Sequence, residues 1–290
     1  MLNQAHEIRV KKIFIALCKT FPRLCHFKFI QNLVLGQYFE IVDNKDYYSK
    51  VCALISLSPK QGFDYYKKEI LDNIPLRQAY EKAINDKKIP QKHKRYELRF
   101  NNSANVVNYY ALIRETKPDI VVETGTATGS MTAWVLSALE ANGKGELISI
   151  DIPPKAGELT MAISIGTDDI GFLIPHEYRH RWKYIVGDAK VQLPKVMAEN
   201  KVDIFIHDSL HTRTHMLFEY NVARCLIKPQ GIIMSDDILL NGSFFQFLKS
   251  HKLKGLGCIS NPNLGLTVNT YDEYETTIGT GIIDTSGNRT

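Results

Sequence analysis

The sequence lacks the features that would place the protein in a membrane or outside the cell. Its 290 residues include no apolar run of about 18 residues, so we expect no membrane span. The short apolar stretch 13–18 follows two lysines, but Lys19 interrupts it and no small-residue cleavage site follows. We therefore expect a cytoplasmic protein.

Cysteine is scarce and widely spaced. The five cysteines form no Cys-x-x-Cys pair; they are Cys18, Cys25, Cys52, Cys225 and Cys258. This spacing argues against a zinc knuckle and against a dithiol redox site. We expect reduced, mostly buried thiols.

Positive charge is concentrated in the first third of the chain. Residues 1–100 carry 19 lysines and arginines against 10 acids, whereas residues 101–290 carry 17 against 21. Such a basic segment can bind a nucleic acid or a membrane surface, or it can be the solvated surface of helices. The basic residues are interspersed with acids, which favours the solvated surface.

The chain divides near residue 95 into two regions of different character. Residues 1–95 mix apolar and polar residues without strand alternation, which predicts a helical N-terminal extension for capping or oligomerisation. Helices are expected over 2–21 and 27–42, and one or two helices, interrupted near Pro75, over 65–85. Residues 96–290 are expected to form a second domain.

Five short apolar runs in this second domain have the character of buried parallel strands. Helical segments separate them, and they span 119–123, 147–151, 183–187, 202–207 and 231–235. This alternation predicts an α/β fold, a doubly wound, mostly parallel sheet with helices on both faces. We expect residues 257–268 to form a hairpin-like pair at one edge, and residues 271–290 to be loose.

Acidic residues stand at or next to the end of each predicted strand. They are Glu123, Asp151, Asp188, Asp208 and the pair Asp236 and Asp237. The carboxyl ends of parallel strands share one edge of a sheet, and ligands bind there. Crowded carboxylates are costly unless cations or hydrogen-bond donors lie among them. This edge is therefore the predicted functional site.

The loop after the first strand reads Glu123-x-Gly125-x-x-x-Gly129-Ser130. Glycines allow a tight turn and a close approach of the backbone to a ligand. The dinucleotide pattern Gly-x-Gly-x-x-Gly is not met. An acid two residues before the first glycine repels phosphate, and it would instead accept a hydrogen bond from an ammonium group.

This loop resembles motif I of the class I S-adenosylmethionine-dependent methyltransferases, in a form close to that of catechol-type O-methyltransferases. The resemblance covers about residues 103–268 and implies a Rossmann-like sheet of seven strands. It implies that Asp151 holds the ribose hydroxyls of S-adenosylmethionine and that Asp188 lies near the adenine. Ala127 departs from the commonest motif, which has glycine there. The implied cofactor-binding residues are Glu123, Gly125, Thr126, Gly129, Ser130, Asp151, Gly187, Asp188 and Ala189.

The segments after the fourth and fifth strands indicate which group of these methyltransferases the chain resembles. His207-Asp208-x-x-His211 and Asp236-Asp237 are similar to metal-dependent small-molecule O-methyltransferases, including the macrocin type and bacterial proteins labelled cephalosporin-hydroxylase-like. In the matching positions, Asp208, Asp236 and Asp237 would hold Mg²⁺, which Mn²⁺ or Ca²⁺ could replace. Asp208 and His211 would be the catalytic residues, with His211 as the general base. Carboxylates suit Mg²⁺, and a neutral histidine can accept the proton of a metal-held hydroxyl.

Several functions remain open at this stage. The resemblance implies methyl transfer to a hydroxyl of a small molecule, such as a sugar or natural product, by a homo-oligomer. A nucleic-acid methyltransferase is one alternative, but the Pro-Pro-aromatic signature of base N-methylation is absent after the fourth strand. A non-catalytic S-adenosylmethionine-binding protein is another, although no predicted acid or base is missing.

Two further features have more than one interpretation. His211 and His215 are spaced i, i+4 and could, with Asp208, hold Zn²⁺ or Fe²⁺ instead of Mg²⁺, as in an iron-dependent hydroxylase. The connection 152–181 is unusually long. It is predicted to form a lid or substrate loop that partly covers the cofactor, or it is a plain surface insertion.

Overall fold

The computed structural model describes residues 39–42, 44–86, 104–152, 159–160, 163–164, 170–238, 241–259 and 279–285. Ten strands lie within these ranges. They are β1 (Phe39–Val42), β2 (Ile120–Thr124), β3 (Glu146–Asp151), β4 (Leu159–Thr160), β5 (Ile163–Ser164), β6 (Trp182–Val186), β7 (Ile204–His207), β8 (Ile232–Ser235), β9 (Gly255–Ile259) and β10 (Gly279–Asp284).

Eight of these strands form one sheet in the order β1-β9-β10-β8-β7-β2-β3-β6, while β4 and β5 form a separate antiparallel pair. The strands β8, β7, β2, β3 and β6 are parallel, and β10 is antiparallel to both of its neighbours. The predicted sheet of seven strands is thus confirmed, and β1 adds an eighth strand, parallel to β9, at the edge.

The ends of the central strands are level with one another. Thr124 pairs in register with Ile150 on β3 and with His207 on β7, and His207 pairs with Ser235 on β8. The residues that follow these strands therefore emerge side by side at one edge of the sheet.

Eight α-helices flank the sheet in the described ranges. They are α1 (Asn44–Leu54), α2 (Phe63–Leu71), α3 (Ile74–Asp86), α4 (Ala104–Thr116), α5 (Ser130–Asn142), α6 (Ala189–Glu199), α7 (Arg213–Leu226) and α8 (Ser243–His251). A short 3₁₀ helix spans His176–Arg181. Pro75 lies in the first turn of α3, where its missing N–H costs no helical hydrogen bond. None of these helices is long and apolar enough to cross a membrane.

The helices cover both faces of the sheet. Apolar side chains of α1 to α5 form one buried cluster with Val121 and Leu147, whereas those of α6 to α8 form the other with Val122 and Ile148. Successive strand residues point to opposite faces, so neighbouring apolar residues serve different clusters. The predicted doubly wound α/β fold is confirmed by this three-layer arrangement.

The N-terminal helices share the core of the sheet-forming region. Glu115 at the end of α4 accepts hydrogen bonds from the backbone N–H groups of Lys60 and Gln61, both at 2.8 Å, and from the Tyr66 hydroxyl at 2.6 Å. Arg114 pairs with Glu69 of α2 at 3.0 Å. The proposed division near residue 95 stays a prediction, because residues 87–103 lie outside the described ranges.

Two sequence predictions are corrected at the far edge of the sheet. The helix predicted over 27–42 is wrong at its end, where Phe39–Val42 forms β1 through pairing with β9. The tail predicted to be loose contains β10, which is bonded to strands on both sides. Of the hairpin predicted at 257–268, the described part belongs to β9. Residues 1–38, with the helix predicted over 2–21, lie outside the described ranges.

Candidate functional site

The glycine-containing loop between β2 and α5 lies directly against the loop that follows β7. Gly125 has a φ of +87°, and its N–H donates to the carbonyl of Ile150 at 2.9 Å. A Cβ at this position would overlap the backbone carbonyl of Asp208. Glycine is therefore required here for contact between two loops as well as for room beside a ligand.

Residues 170–181, the longest described stretch of the predicted lid, pack on the glycine loop. Gly129, the N-cap residue just before α5, has a φ of +82°, and a Cβ there would lie 2.7 Å from the Ile174 side chain. The backbone N–H groups of Gly171 and Leu173 donate to carbonyls of the glycine loop at 2.9 and 3.0 Å. This segment covers the loop, while its action as a lid over a ligand stays a prediction.

Glu123 is held inside the sheet by hydroxyl groups. Its Oε1 accepts hydrogen bonds from Ser149 at 2.6 Å and from Thr132 at 2.7 Å, and Trp182 donates in turn to the Ser149 hydroxyl at 2.7 Å. Burial raises the pKa of Glu123 to about 7, and the negative charge of Asp151 adds to this rise. The predicted bond from Glu123 to an ammonium group stays a prediction.

Asp151 supports the glycine loop from the end of β3. Its Oδ2 accepts the backbone N–H groups of Thr126 and Ala127, both at 2.8 Å. Its backbone carbonyl accepts the N–H of Gly187 at 3.0 Å. Asp151 thus links the ends of β2, β3 and β6, and its predicted contact with ribose hydroxyls stays a prediction.

The remaining cofactor candidates lie along the same edge. Asp188 is exposed and caps α6, because its Oδ1 accepts the N–H of Lys190 at 2.8 Å, while Ala189 is buried. The Ser130 hydroxyl lies 3.4 Å from that of Tyr80 on α3. All nine predicted cofactor residues therefore stand at or just beyond the ends of β2, β3 and β6, three adjacent strands.

The predicted metal ligands and base meet at the ends of β7 and β8. The N–H groups of Asp208 and Asp236 donate, both at 2.9 Å, to the backbone carbonyls of the last residues of β2 and β7. His211 Nε2 lies 3.3 Å from Asp237 Oδ2 and 3.7 Å from Asp208 Oδ1. The structure thus brings His211 between two of the three predicted carboxylate ligands.

Burial and like charges shift the protonation of this cluster. Burial raises the pKa of Asp208 well above its usual range, and the carboxylates of Asp236 and Asp237 raise it further. Burial lowers the pKa of His211 to about 4, and His207 adds to the lowering. His211 is therefore a neutral imidazole at physiological pH, able to accept a proton.

The donor set fits Mg²⁺ in its chemistry. Three carboxylates at adjoining strand ends are hard oxygen ligands, which this ion prefers, and a divalent cation would relieve the repulsion that raises the pKa of Asp208. In the described part of the chain, however, no three acidic, histidine or cysteine side chains are arranged to share an ion. The Mg²⁺ site therefore stays a prediction.

The alternative zinc or iron site finds no support in the described residues. It requires His211, His215 and Asp208 around one ion. His215 is only 6% exposed, and its Nε2 lies 2.7 Å from an oxygen of Glu219. His215 is therefore buried and engaged with a carboxylate.

Glu219 is the residue of this region that the sequence pattern did not single out. It lies on α7, is fully buried, and binds both His207 and His215. The available signal was a glutamate on the apolar face of an amphipathic helix, between the buried residues Met216 and Tyr220. A charge in such a position requires partners.

Comparisons with known proteins bear on the same region. Residues 122–238 match a family described as Methyltransferase domain. Cofactor-bound Rv0187 from MTB is similar at a TM-score of 0.50, with 15% identity over 78% of this chain and 96% of that one. The O-methyltransferase TomG from Streptomyces achromogenes, in complex with SAM, has a TM-score of 0.49 and 16% identity, over 84% of this chain and 99% of that one. No curated protein matches this sequence.

The family match and the fold agree with the geometry of the site. At 15% identity, the first of these structures shows the fold alone. The family match begins at Val122, before the glycine loop, and ends at Ile238, after the last of the clustered acids. Both agree with the resemblance noted in the sequence: residues 122–238 match a methyltransferase domain, and the chain shares its fold with a cofactor-bound structure.

Proposed function

We propose that this protein is an S-adenosylmethionine-dependent methyltransferase that transfers a methyl group to a hydroxyl of a small molecule, such as a sugar or natural product, in a reaction that requires Mg²⁺. The contact between Gly125 and the carbonyl of Asp208 supports this proposal. It places the loop predicted to bind the methyl donor against the loop that carries the predicted base. Transfer between two bound molecules requires such adjacent sites.

One set of residues would bind the methyl donor and a second set would bind Mg²⁺. The glycine loop, supported by Asp151, would bind S-adenosylmethionine, with Glu123 facing its ammonium group. Asp208, Asp236 and Asp237 would hold Mg²⁺. When bound, S-adenosylmethionine supplies the methyl group and Mg²⁺ makes the acceptor hydroxyl more acidic.

His211 would take the proton released from the acceptor hydroxyl. Its Nε2 faces the carboxylates, and its low pKa keeps the ring neutral, so that one ring nitrogen can accept a proton. The positioned acceptor oxygen then forms a bond to the methyl carbon as the carbon–sulfur bond breaks. His211 holds the proton until solvent removes it.

Binding and turnover measurements test the proposal separately. Titration calorimetry should show binding of S-adenosylhomocysteine and no comparable binding of NAD. Methyl transfer to a panel of sugars and phenols should stop in EDTA and return with Mg²⁺, and the substitution Asp236→Ala should abolish this return. Full activity in EDTA would contradict the metal requirement, and methylation of RNA or DNA in place of small molecules would contradict the acceptor class.

The expected homo-oligomer requires its own measurement. We infer it from the family resemblance, and light scattering of the purified protein at several concentrations measures it directly. A mass equal to one 33.0 kDa chain throughout would contradict it.

A further inference from the structure

A single buried carboxylate ties together the elements beneath the predicted base. Glu219 is fully buried, and four side chains contact it. Its Oε2 accepts hydrogen bonds from Thr124 at 2.6 Å and from His207 Nδ1 at 2.5 Å. Its Oε1 accepts from Ser209 at 2.8 Å and from His215 Nε2 at 2.7 Å. We call these five residues the Glu219 cluster.

The cluster determines which histidine nitrogens carry protons. Burial alone would raise the pKa of Glu219, but hydrogen bonds from His207 and His215 outweigh it and hold the pKa at about 2. An ionised carboxylate can only accept hydrogen bonds, so His207 Nδ1 and His215 Nε2 must both be donors. Each of these two nitrogens therefore carries its proton toward Glu219.

The cluster also holds the segment that carries the predicted catalytic residues. Asp208 lies between two residues bound to Glu219, because His207 precedes it and Ser209 follows it. The ring of His207 meets that of His211 edge to face, with centroids 5.3 Å apart and an angle of 87° between the rings. Glu219 therefore restrains the backbone on both sides of Asp208 and the ring against which His211 packs.

Burial of the Glu219 carboxylate costs desolvation free energy. An apolar side chain of similar size would avoid the desolvation of a full negative charge, and buried ionic groups are often replaceable without loss of stability. Two of the four contacts of Glu219, those with His207 and Ser209, lie in the segment 207–211 on either side of Asp208. Stability alone does not require a charge at this position. Orientation of the segment 207–211 is a role that explains the buried carboxylate of Glu219.

We propose that Glu219 is a positioning residue: through His207 and Ser209, it holds Asp208 and His211 in the orientation in which His211 Nε2 lies between the carboxylates of Asp208 and Asp237. The structural part of this proposal concerns only the ring and loop positions. Its catalytic consequence rests on the proposed function.

Nuclear magnetic resonance of the histidine rings tests the structural part without any ligand. The full chain carries Glu219→Gln, which keeps the size but removes the charge, or Ser209→Ala, which removes one contact. The control is Asn221→Ala, an exposed position on the same helix. The His211 signals, assigned by their absence in His211→Asn, should move or broaden in both test variants and stay in place in the control.

Kinetics then test the consequence. Loss of a side chain that orients a metal ligand typically costs about 10- to 100-fold in activity, so kcat of Glu219→Gln should fall on that scale. The KM for S-adenosylmethionine should change less than about twofold, because the donor loop is held by Asp151 instead. Ser209→Ala should lower kcat less when Glu219→Gln is already present, because both act through one contact.

Each failure has a separate meaning. If the wild type transfers no methyl group to any acceptor, the proposed function fails, and the ring spectra still decide whether Glu219 positions His211. Unmoved His211 signals in a folded Glu219→Gln variant overturn the positioning role. If that variant does not fold, Ser209→Ala carries the same test, and unmoved His211 signals there overturn it.

Discussion

Replacement of Glu123 by glutamine should make the protein more stable at neutral and alkaline pH. The folded protein holds this carboxyl at a pKa of about 7, against 4.5 for a free glutamate, because it is buried. At a pH between these two pKa values, Glu123 carries a proton in the folded state that it has lost in the unfolded state. Stability therefore falls as pH rises through this window, and Glu123→Gln, which has no proton to lose, should not show this fall.

The size of the expected change in unfolding free energy follows from the shift in the pKa of Glu123. A difference of 2.5 between the two pKa values corresponds to about 3 kcal/mol of unfolding free energy, lost from wild type between pH 4.5 and about pH 7. The glutamine oxygen can still accept the bonds from Ser149 and Thr132, so among the pH values tested the variant should differ least from wild type at pH 5. At pH 8 it should exceed wild type by up to about 3 kcal/mol.

Urea denaturation at pH 5, 6, 7 and 8, followed by tryptophan fluorescence, measures this difference. Glu146→Gln, an exposed glutamate on β3, is the matched control and should follow wild type at every pH. If the stability difference between Glu123→Gln and wild type is the same at pH 5 and pH 8, the carboxyl does not titrate as described. A buried glutamate at that position would then need another explanation.

Three further predictions follow from the two loops and α7. Gly125→Ala should lower the melting temperature far more than Gly143→Ala, because both have positive φ but only Gly125 would place its Cβ in a backbone carbonyl; equal losses in thermal denaturation would contradict this. His211→Ala should keep S-adenosylhomocysteine affinity and lose roughly 10²–10⁴-fold in kcat. By contrast, His215→Ala should chiefly lower the unfolding free energy, since it removes a partner of Glu219. A large loss of kcat in His215→Ala but not in His211→Ala would contradict the assignment of His211 as the base. Unfolding free energy should also fall as pH drops from 4.5 toward 2, by roughly 3 kcal/mol from Glu219 alone, and acid denaturation of Glu219→Gln should lack this part.

The parts of the fold that were predicted correctly are those with local signals. The central strands are continuous apolar runs because both faces of a parallel sheet are buried. The edge strands gave no such signal. β10 reads Gly-Thr-Gly-Ile-Ile-Asp and is a strand because it is bonded on both sides, by β8 and β9. β1 depends in the same way on β9.

In the candidate site, too, the residues with a local sequence signal were predicted and the residue without one was missed. Glycines and acids at strand ends predicted which residues gather at the edge of the sheet, and the structure brings His211, Asp208 and Asp237 together there. Glu219 could not be found in this way. Its partner Thr124 lies 95 positions away in the chain and His207 lies 12 away, so no local pattern reports their meeting.

The place of β10 in the sheet has a consequence for how the chain reaches its final form. β8 and β9 do not pair with each other; β10, near the end of the chain, lies between them. β1 in turn needs β9, more than two hundred residues later. At a synthesis rate of about 5–20 residues per second, β1 waits roughly 10–40 s for its partner. During that time its strand edge is open to other chains, so translation speed and chaperone supply should affect the yield of this protein more than that of a sheet built from neighbouring hairpins.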